Sequence, residues 1–197
     1  MFGLALPVVV KSAVVLVALV EAPGVDEDQI GNRFGRECGV NAALVFAGEE
    51  PDSFTPYRLS GNGANKEHFH TLGLSDAFAG TGVDGLSTTD TGTIDYETLL
   101  EIDPDSLLLR YHREGKTREE FENDVLAYMQ DHPVGSQLTA VQDGRVFRGG
   151  PIYSGPLHNL FMIERFATGY FPETFSEDQL FDRDRLATII TEGVGDA

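Results

Sequence analysis

The chain has 197 residues, enough for one α/β domain with a sizeable core and short for two. Its 32 acidic and 14 basic residues leave a formal charge of −18, a field that repels phosphate backbones and anionic membrane surfaces and so argues against nucleic acid as a partner. A hydrophobic fraction of 41% with 13 Phe excludes a disordered acidic chain, which would lack the apolar area to offset its ordering entropy.

Only three of the basic residues are Lys (Lys11, Lys66, Lys116), and the acids are spread along the chain and not gathered in a tail. That looks like the surface of a salt-adapted protein, in which high ionic strength screens the self-repulsion; an anion-repelling surface for binding cations is the competing reading, made the weaker one by the even spacing.

The first segment, MFGLALPVVVKSAVVLVALVEAPG, has an uncharged start, no small-x-small cleavage site, and Pro7 and Lys11 inside its apolar run. It therefore reads neither as a signal peptide nor as a spanning helix, which needs about 18 uninterrupted apolar residues, and no membrane insertion is expected. Ala13 to Val20 reads as a buried parallel strand followed by an acidic, Gly-rich loop. Cys38 is the only cysteine, so it makes no internal disulfide and has no Cys partner for zinc.

Ala42 to Phe46 predicts a second short strand, and Gly48 to Gly63 carries turn signals at Pro51, Pro56, Gly61 and Gly63. Ala64 to Leu72 reads as a helix stopped by Gly73, and Gly80 to Gly92 as an exposed loop. Asp95 is placed to cap a helix, YETLLEI, ended by Pro104, and Ser106 to Leu109 then forms a core strand running into Arg110, Tyr111 and His112.

Thr117 and Glu120 spell a capping box for a helix with Phe121, Val125, Tyr128 and Met129 on one face. Ala140 to Arg148 reads as a turn centred on Asp143 and Gly144 followed by a strand, after which GGPIYSGP loops into a helix with Leu157, Leu160, Phe161 and Ala167 inward and Gly169 at its end. A last helix, Asp184 to Glu192, turns Leu186, Ile189 and Ile190 inward and stops at Gly193. Strands alternating with helices predict a three-layer α/β/α domain with a mainly parallel sheet, and such sheets bind ligands beyond the carboxyl ends of their strands.

Arg110, Tyr111 and His112 gather hydrogen-bond donors where a buried strand surfaces, which reads either as a ligand site or as a snorkelling Arg and half-buried Tyr at a sheet rim. Tyr153 and Tyr57 lie in Gly/Pro-bounded loops that display aromatic rings, although plugging the end of the core is the simpler reading of Tyr57. His68 and His70, two apart on a helix, point to nearly opposite sides and read as a wet helix surface, not a metal pair. Glu97 suits the positive end of its helix. No phosphate-binding glycine fingerprint, nucleophile elbow or Cys/His zinc pattern is present: GNGAN (61–65) and GRVFRGG (144–150) lack the spacing and the strand-turn-helix context.

Three segments in order, HTLGLSDAFAG (70–80), IDYETLLEIDPDSLLL (94–109) and LTAVQDGRVFRGGPIYSGPLHNLF (138–161), together resemble the C-terminal lobe of the periplasmic-binding-protein family for ferric siderophores, haem and cobalamin, most like its haloarchaeal ABC-transporter members. The parts are a Leu-Gly-x-x-Asp-Ala-like turn, an acidic helix entering a Pro-Asp-x-hydrophobic strand, and a Thr-Ala-Val-x-x-Gly-x-Val hairpin leading to a Gly-Pro loop and helix; the likeness covers roughly residues 50–193.

The resemblance implies a solute-binding component of an ABC importer, or its C-terminal lobe, with an iron chelate as ligand, an ABC permease as partner, no catalytic residue, no cofactor and an extracytoplasmic role. Relatives bind in a cleft between two lobes, whereas residues 1–197 offer room for one, without a recognisable signal or lipobox, so the N-terminal lobe is expected to be missing or supplied by a separate chain. Relatives also dock onto permease arginines through an exposed Glu on each lobe, and Glu97 matches that position. The alternatives are an intracellular α/β enzyme or metal-handling domain, for which no acid, base or nucleophile stands out, and a truncated, non-functional fragment.

Overall fold

The structure is a computed structural model that describes residues 39–48, 50–61, 63–83, 92–111, 116–153, 155–172, 175 and 181–192. The expected strand at 13–20, together with Cys38, His112 and Gly193, lies outside the described residues.

Among the described residues five strands form one sheet: β1 (Asn41–Ala47), β2 (Phe54–Tyr57), β3 (Ser75–Asp76), β4 (Ser106–Tyr111) and β5 (Val146–Pro151). Their order is β2-β1-β4-β5, and β3 lies beside the start of β1. β1 runs parallel to β3 and β4, and β4 to β5; β2 alone is antiparallel, pairing Ala47 with Phe54 and Leu44 with Tyr57. The register Ala42↔Ser106 through Phe46↔Arg110 makes β1 and β4 the central pair.

Both faces of that pair are covered, which is why LVF in β1 and LLL in β4 read as unbroken apolar runs. One face carries Ala43, Val45, Ala47, Leu107, Leu109 and Val146. Against them pack α2 (Tyr96–Ile102), α3 and α4 (Thr139–Gln142). Here α3 is one continuous helix of three stretches, Arg118–Glu120, a π-wound Phe121–Leu126 and Ala127–Asp131. The opposite face carries Ala42, Leu44 and Leu108, met by Phe69 and Leu72 from α1 (Glu67–Thr71) and its C-cap and by Met162, Phe166 and Ala167 from α5 (Pro156–Tyr170). α6 (Arg183–Glu192) closes a small third cluster through Leu186, Phe181 and Leu160. This is the three-layer, mainly parallel α/β lobe that the sequence pattern predicts.

The caps follow the sequence. Asp95 Oδ1 accepts the Thr98 amide at 2.9 Å, and Thr117 and Glu120 exchange both bonds of a capping box. Helix α2 stops one residue before Pro104, where Asp103 turns left-handed with φ 43°, and the Asp103 carboxylate then accepts from the Thr139 amide and hydroxyl.

Several expectations are corrected. The turn-rich stretch 48–63 contains β2, held on its other side by a bridge to Ile94. Residues 139–148 make no hairpin: Thr139–Gln142 is a helical turn, Gly144 takes φ 66°, and β5 enters parallel to β4. In α5 the inward stripe is Leu160, Met162, Ile163, Phe166 and Ala167, whereas Leu157 and Phe161 are each 41% exposed. That helix continues through Gly169, where a side chain would meet the Phe147 ring at 3.0 Å, so this glycine serves packing and not termination. In α6 Leu186 is buried as expected, whereas Ile190 is exposed; the Ile189 side chain lies outside what is described.

Candidate ligand site

Arg110 is the penultimate residue of β4 and faces the α1/α5 layer, where Phe69 of α1 lies 5.4 Å beneath its guanidinium. It is wholly buried, which corrects the expectation of a strand residue emerging at an open rim. Its Nε donates to Gly149 O at 3.2 Å and its Nη2 donates to Asn65 O, while Nη1 has no hydrogen-bond partner among the described residues. No carboxylate of the described residues pairs with it. Burial lowers its pKa to about 10, so the group still carries its charge at neutral pH.

The local backbone is shaped for this side chain. Between the pairs Leu109↔Arg148 and Tyr111↔Pro151, β4 advances two residues and β5 three, so Gly149 and Gly150 together oppose Arg110 in a β-bulge. Gly150 takes φ 75°, open to glycine, and a Cβ on Gly149 would lie 3.1 Å from Arg110 Cγ and 3.1 Å from the Leu108 carbonyl carbon. Gly149→Ala is therefore expected to cost about 1–3 kcal/mol, the range for overpacking, because backbone on the far side cannot give way. A denaturant titration checks this, and an unchanged midpoint would mean that the strand pair accommodates the methyl.

Three further groups converge here. Tyr57 is half-buried at the end of β2, and burial raises its hydroxyl pKa against the opposing pull of Arg110, with Tyr153 adding to the rise. Lys66 is partly buried beside Arg110, and burial and that like charge both lower its pKa. Tyr153, 86% exposed, follows β5 and stands over the same end of the sheet, within electrostatic reach of Tyr57. The structure thus brings Arg110, Tyr57 and Tyr153 together; the Tyr111 side chain and His112 lie outside what is described. Two cations, Arg110 and Lys66, thus lie beside two tyrosine hydroxyls at one strand end in a chain of formal charge −18.

Sequence reasoning misplaced His68. It is 1% exposed, with its ring stacked 5.7 Å from Phe166, its Nδ1 3.0 Å from Asn159 Oδ1 on α5, and its Nε2 without a partner among the described residues. Burial drives its pKa down to about 3, with Arg110 adding to the effect, so the imidazole is neutral. With Asn159 Oδ1 accepting from Nδ1–H, Nε2 is left as the acceptor nitrogen of the neutral ring. The signal that could have found it is the apolar Phe69 and Leu72 around it, which mark a packed helix face and not a wet one. His70 is exposed and its Nε2 donates to Leu59 O at 2.8 Å. Glu97 is exposed in the first turn of α2. Among the described residues no group of three or more His, Cys, Asp or Glu could hold a metal, and no helix is long and apolar enough to cross a membrane.

A mainly parallel sheet between two helical layers, with polar groups at the carboxyl end of its central strand, is the architecture of an α/β lobe that offers a ligand site. The chain belongs to the periplasmic binding protein family, whose profile matches residues 28–153. Its structure is similar to the TroA-like periplasmic binding protein FepB from Veillonella parvula, with 17% identity and a TM-score of 0.51 over 84% of this chain and 49% of that one. It is similar also to an ABC transporter substrate-binding protein from Listeria monocytogenes, with 12% identity and a TM-score of 0.52 over 72% and 51%. A third similar structure is the ABC-type Fe3+-hydroxamate transport system from Saccharomonospora viridis, with 16% identity and a TM-score of 0.47 over 73% and 46%. At these identities the likeness to the Veillonella and Listeria proteins is one of fold, and the chain spans about half the length of all three. No curated protein matches it.

Proposed function

We propose that the chain is a solute-binding component of an ABC importer, or the C-terminal lobe of one, and that its ligand is an iron chelate carrying negative charge. The observation that carries this reading is Arg110: a buried guanidinium with no carboxylate partner and an unused Nη1 donor among the described residues. A buried charge is costly unless something compensates it, and an anionic ligand oxygen would supply both the charge and the missing acceptor. Tyr57 and Tyr153 offer rings and hydroxyls for the chelate's flat or amide-rich parts. A second lobe, on this chain's longer form or on a separate one, would cover the exposed Tyr153 and the exposed start of α5 and exclude water from the site.

The test is ligand-dependent stabilisation of the full chain by ferric tris-catecholate and by haem, both anionic, against a neutral ferric tris-hydroxamate. At a hundredfold excess over Kd a ligand adds about 2.7 kcal/mol, which for a chain of this size raises the melting temperature by roughly 5–10 °C. The anionic chelates are expected to give that rise and the neutral one a smaller one; no rise with any of them overturns the proposal.

Glu97 completes the reading as the permease contact. Glu97→Gln is expected to leave folding and chelate binding intact and to weaken permease association roughly twofold to fivefold, with the difference shrinking at high salt because rim charges are screened. Permease in nanodiscs measured against both forms at matched salt decides it, and equal affinity removes the docking role.

A further inference from the structure

Arg110 is completely buried, and a short segment of chain is what closes it off. Gly63 and the 3-10 turn Ala64–Lys66 form a strap that crosses the guanidinium. Three contacts hold it down: Asn65 O accepts from Arg110 Nη2, Asn65 Nδ2 donates to Ile152 O at 2.7 Å across to the loop after β5, and Lys66 Nζ donates to Arg58 O.

The two ends of the strap are fixed unequally. Downstream it runs into α1, which is locked onto α5 by His68 Nδ1 against Asn159 Oδ1 and by the Phe69 and Phe166 rings 5.2 Å apart. Upstream it is flanked by Gly61 and Gly63, which carry no side chains to pack. Motion is therefore confined to the upstream side, and among the described residues the bond tying that side to the opposite loop is the neutral Asn65–Ile152 contact, of a strength that opens readily at a surface.

From this geometry we infer that the Gly63–Lys66 strap is a gate over Arg110, with Asn65 as its latch: the ligand's anionic oxygen reaches Nη1 once Asn65 releases Ile152 O. The inference rests on the reading of Arg110 as a ligand group and adds how that group is reached. Gly63 supplies independent leverage, because a Cβ there would meet Asn65 Oδ1 at 2.8 Å and push the latch aside without removing it.

The test reads the gate without needing the natural ligand. Full-length wild type, Asn65→Ala and Gly63→Ala are treated with phenylglyoxal, and modification of Arg110 is followed by mass spectrometry against the exposed Arg118 as internal reference. Both variants are expected to speed Arg110 modification roughly twofold to tenfold, the factor that one hydrogen bond is worth, with Arg118 unchanged. The same factor is expected in the association rate of ferric tris-catecholate. If Asn65→Ala does not fold, Gly63→Ala carries the test. Arg110 equally protected in wild type and in every folded variant overturns the gate, even where the chelate binds. Faster Arg110 modification with no chelate bound by any form upholds the gate and removes the iron-chelate reading instead.

Discussion

Arg110→Met is expected to lower affinity for anionic ferric chelates by thirtyfold or more while leaving the melting temperature within a few degrees of wild type. The loss follows from removing the buried partner of a charged ligand group, a change that costs about 2–5 kcal/mol. The stability follows from the same burial seen from the other side. A guanidinium without a carboxylate among the described residues is a liability to the unliganded fold, and a long apolar side chain in its place removes that cost while leaving the Gly149 and Asn65 carbonyls short of a donor. Calorimetric titration beside thermal melts checks both halves. A collapse of the melting temperature with chelate binding retained by the folded fraction would make Arg110 a structural residue and sink the ligand site.

His68→Asn is expected to change how stability depends on pH. The folded protein holds His68 at a pKa of about 3, whereas the unfolded chain restores the ordinary value near 6.5. As pH falls from about 7.5 to 5, the unfolded state takes up a proton that the folded state refuses, so this group alone removes about 2 kcal/mol of stability. Protonation of carboxylates in a chain of charge −18 relieves repulsion and acts in the opposite direction, so the effect is read as the wild-type minus variant difference at each pH. Asn keeps an amide donor near the Nδ1 position for Asn159 but does not titrate. Denaturant midpoints should show the difference between the two proteins shifting by that amount in favour of the variant on acidification; a constant difference would mean that the buried imidazole accepts the proton after all.

The sequence made the layers legible wherever local chemistry and tertiary packing agree. The apolar runs at 42–46 and 106–109, the Asp95 cap and the Thr117–Glu120 box all sit where their residues predict, because each depends only on near neighbours or on burial of both sheet faces. It was silent where a distant partner decides. FTPY becomes a strand only because the edge of β1 and Ile94 are there to pair with it, and Leu157 and Phe161 stay exposed because α5 meets the sheet through Met162 and Phe166 instead. Arg110 stands out in the sequence from its place at a strand end, but its complete burial depends on Gly149 and on a strap 45 residues away in sequence, and no pattern local to β4 encodes either. His68 was misread for the same reason, since its partners Asn159 and Phe166 lie on a helix about 90 residues downstream.

The extra residue in β5 also sets the terms on which this surface can change over evolutionary time. Because Gly149 and Gly150 together face a single residue of β4, losing either one would straighten the ladder and shift everything after it by one place along the strand, reversing which face each side chain takes. Ile152, whose carbonyl receives Asn65, and the start of α5, which holds Asn159, would move with it. Substitutions at Tyr153, beyond the strand, touch none of that frame. If Tyr153 meets ligand as proposed, the lobe can exchange that outer contact while Arg110, the strap over it and its backing helix are inherited as one block.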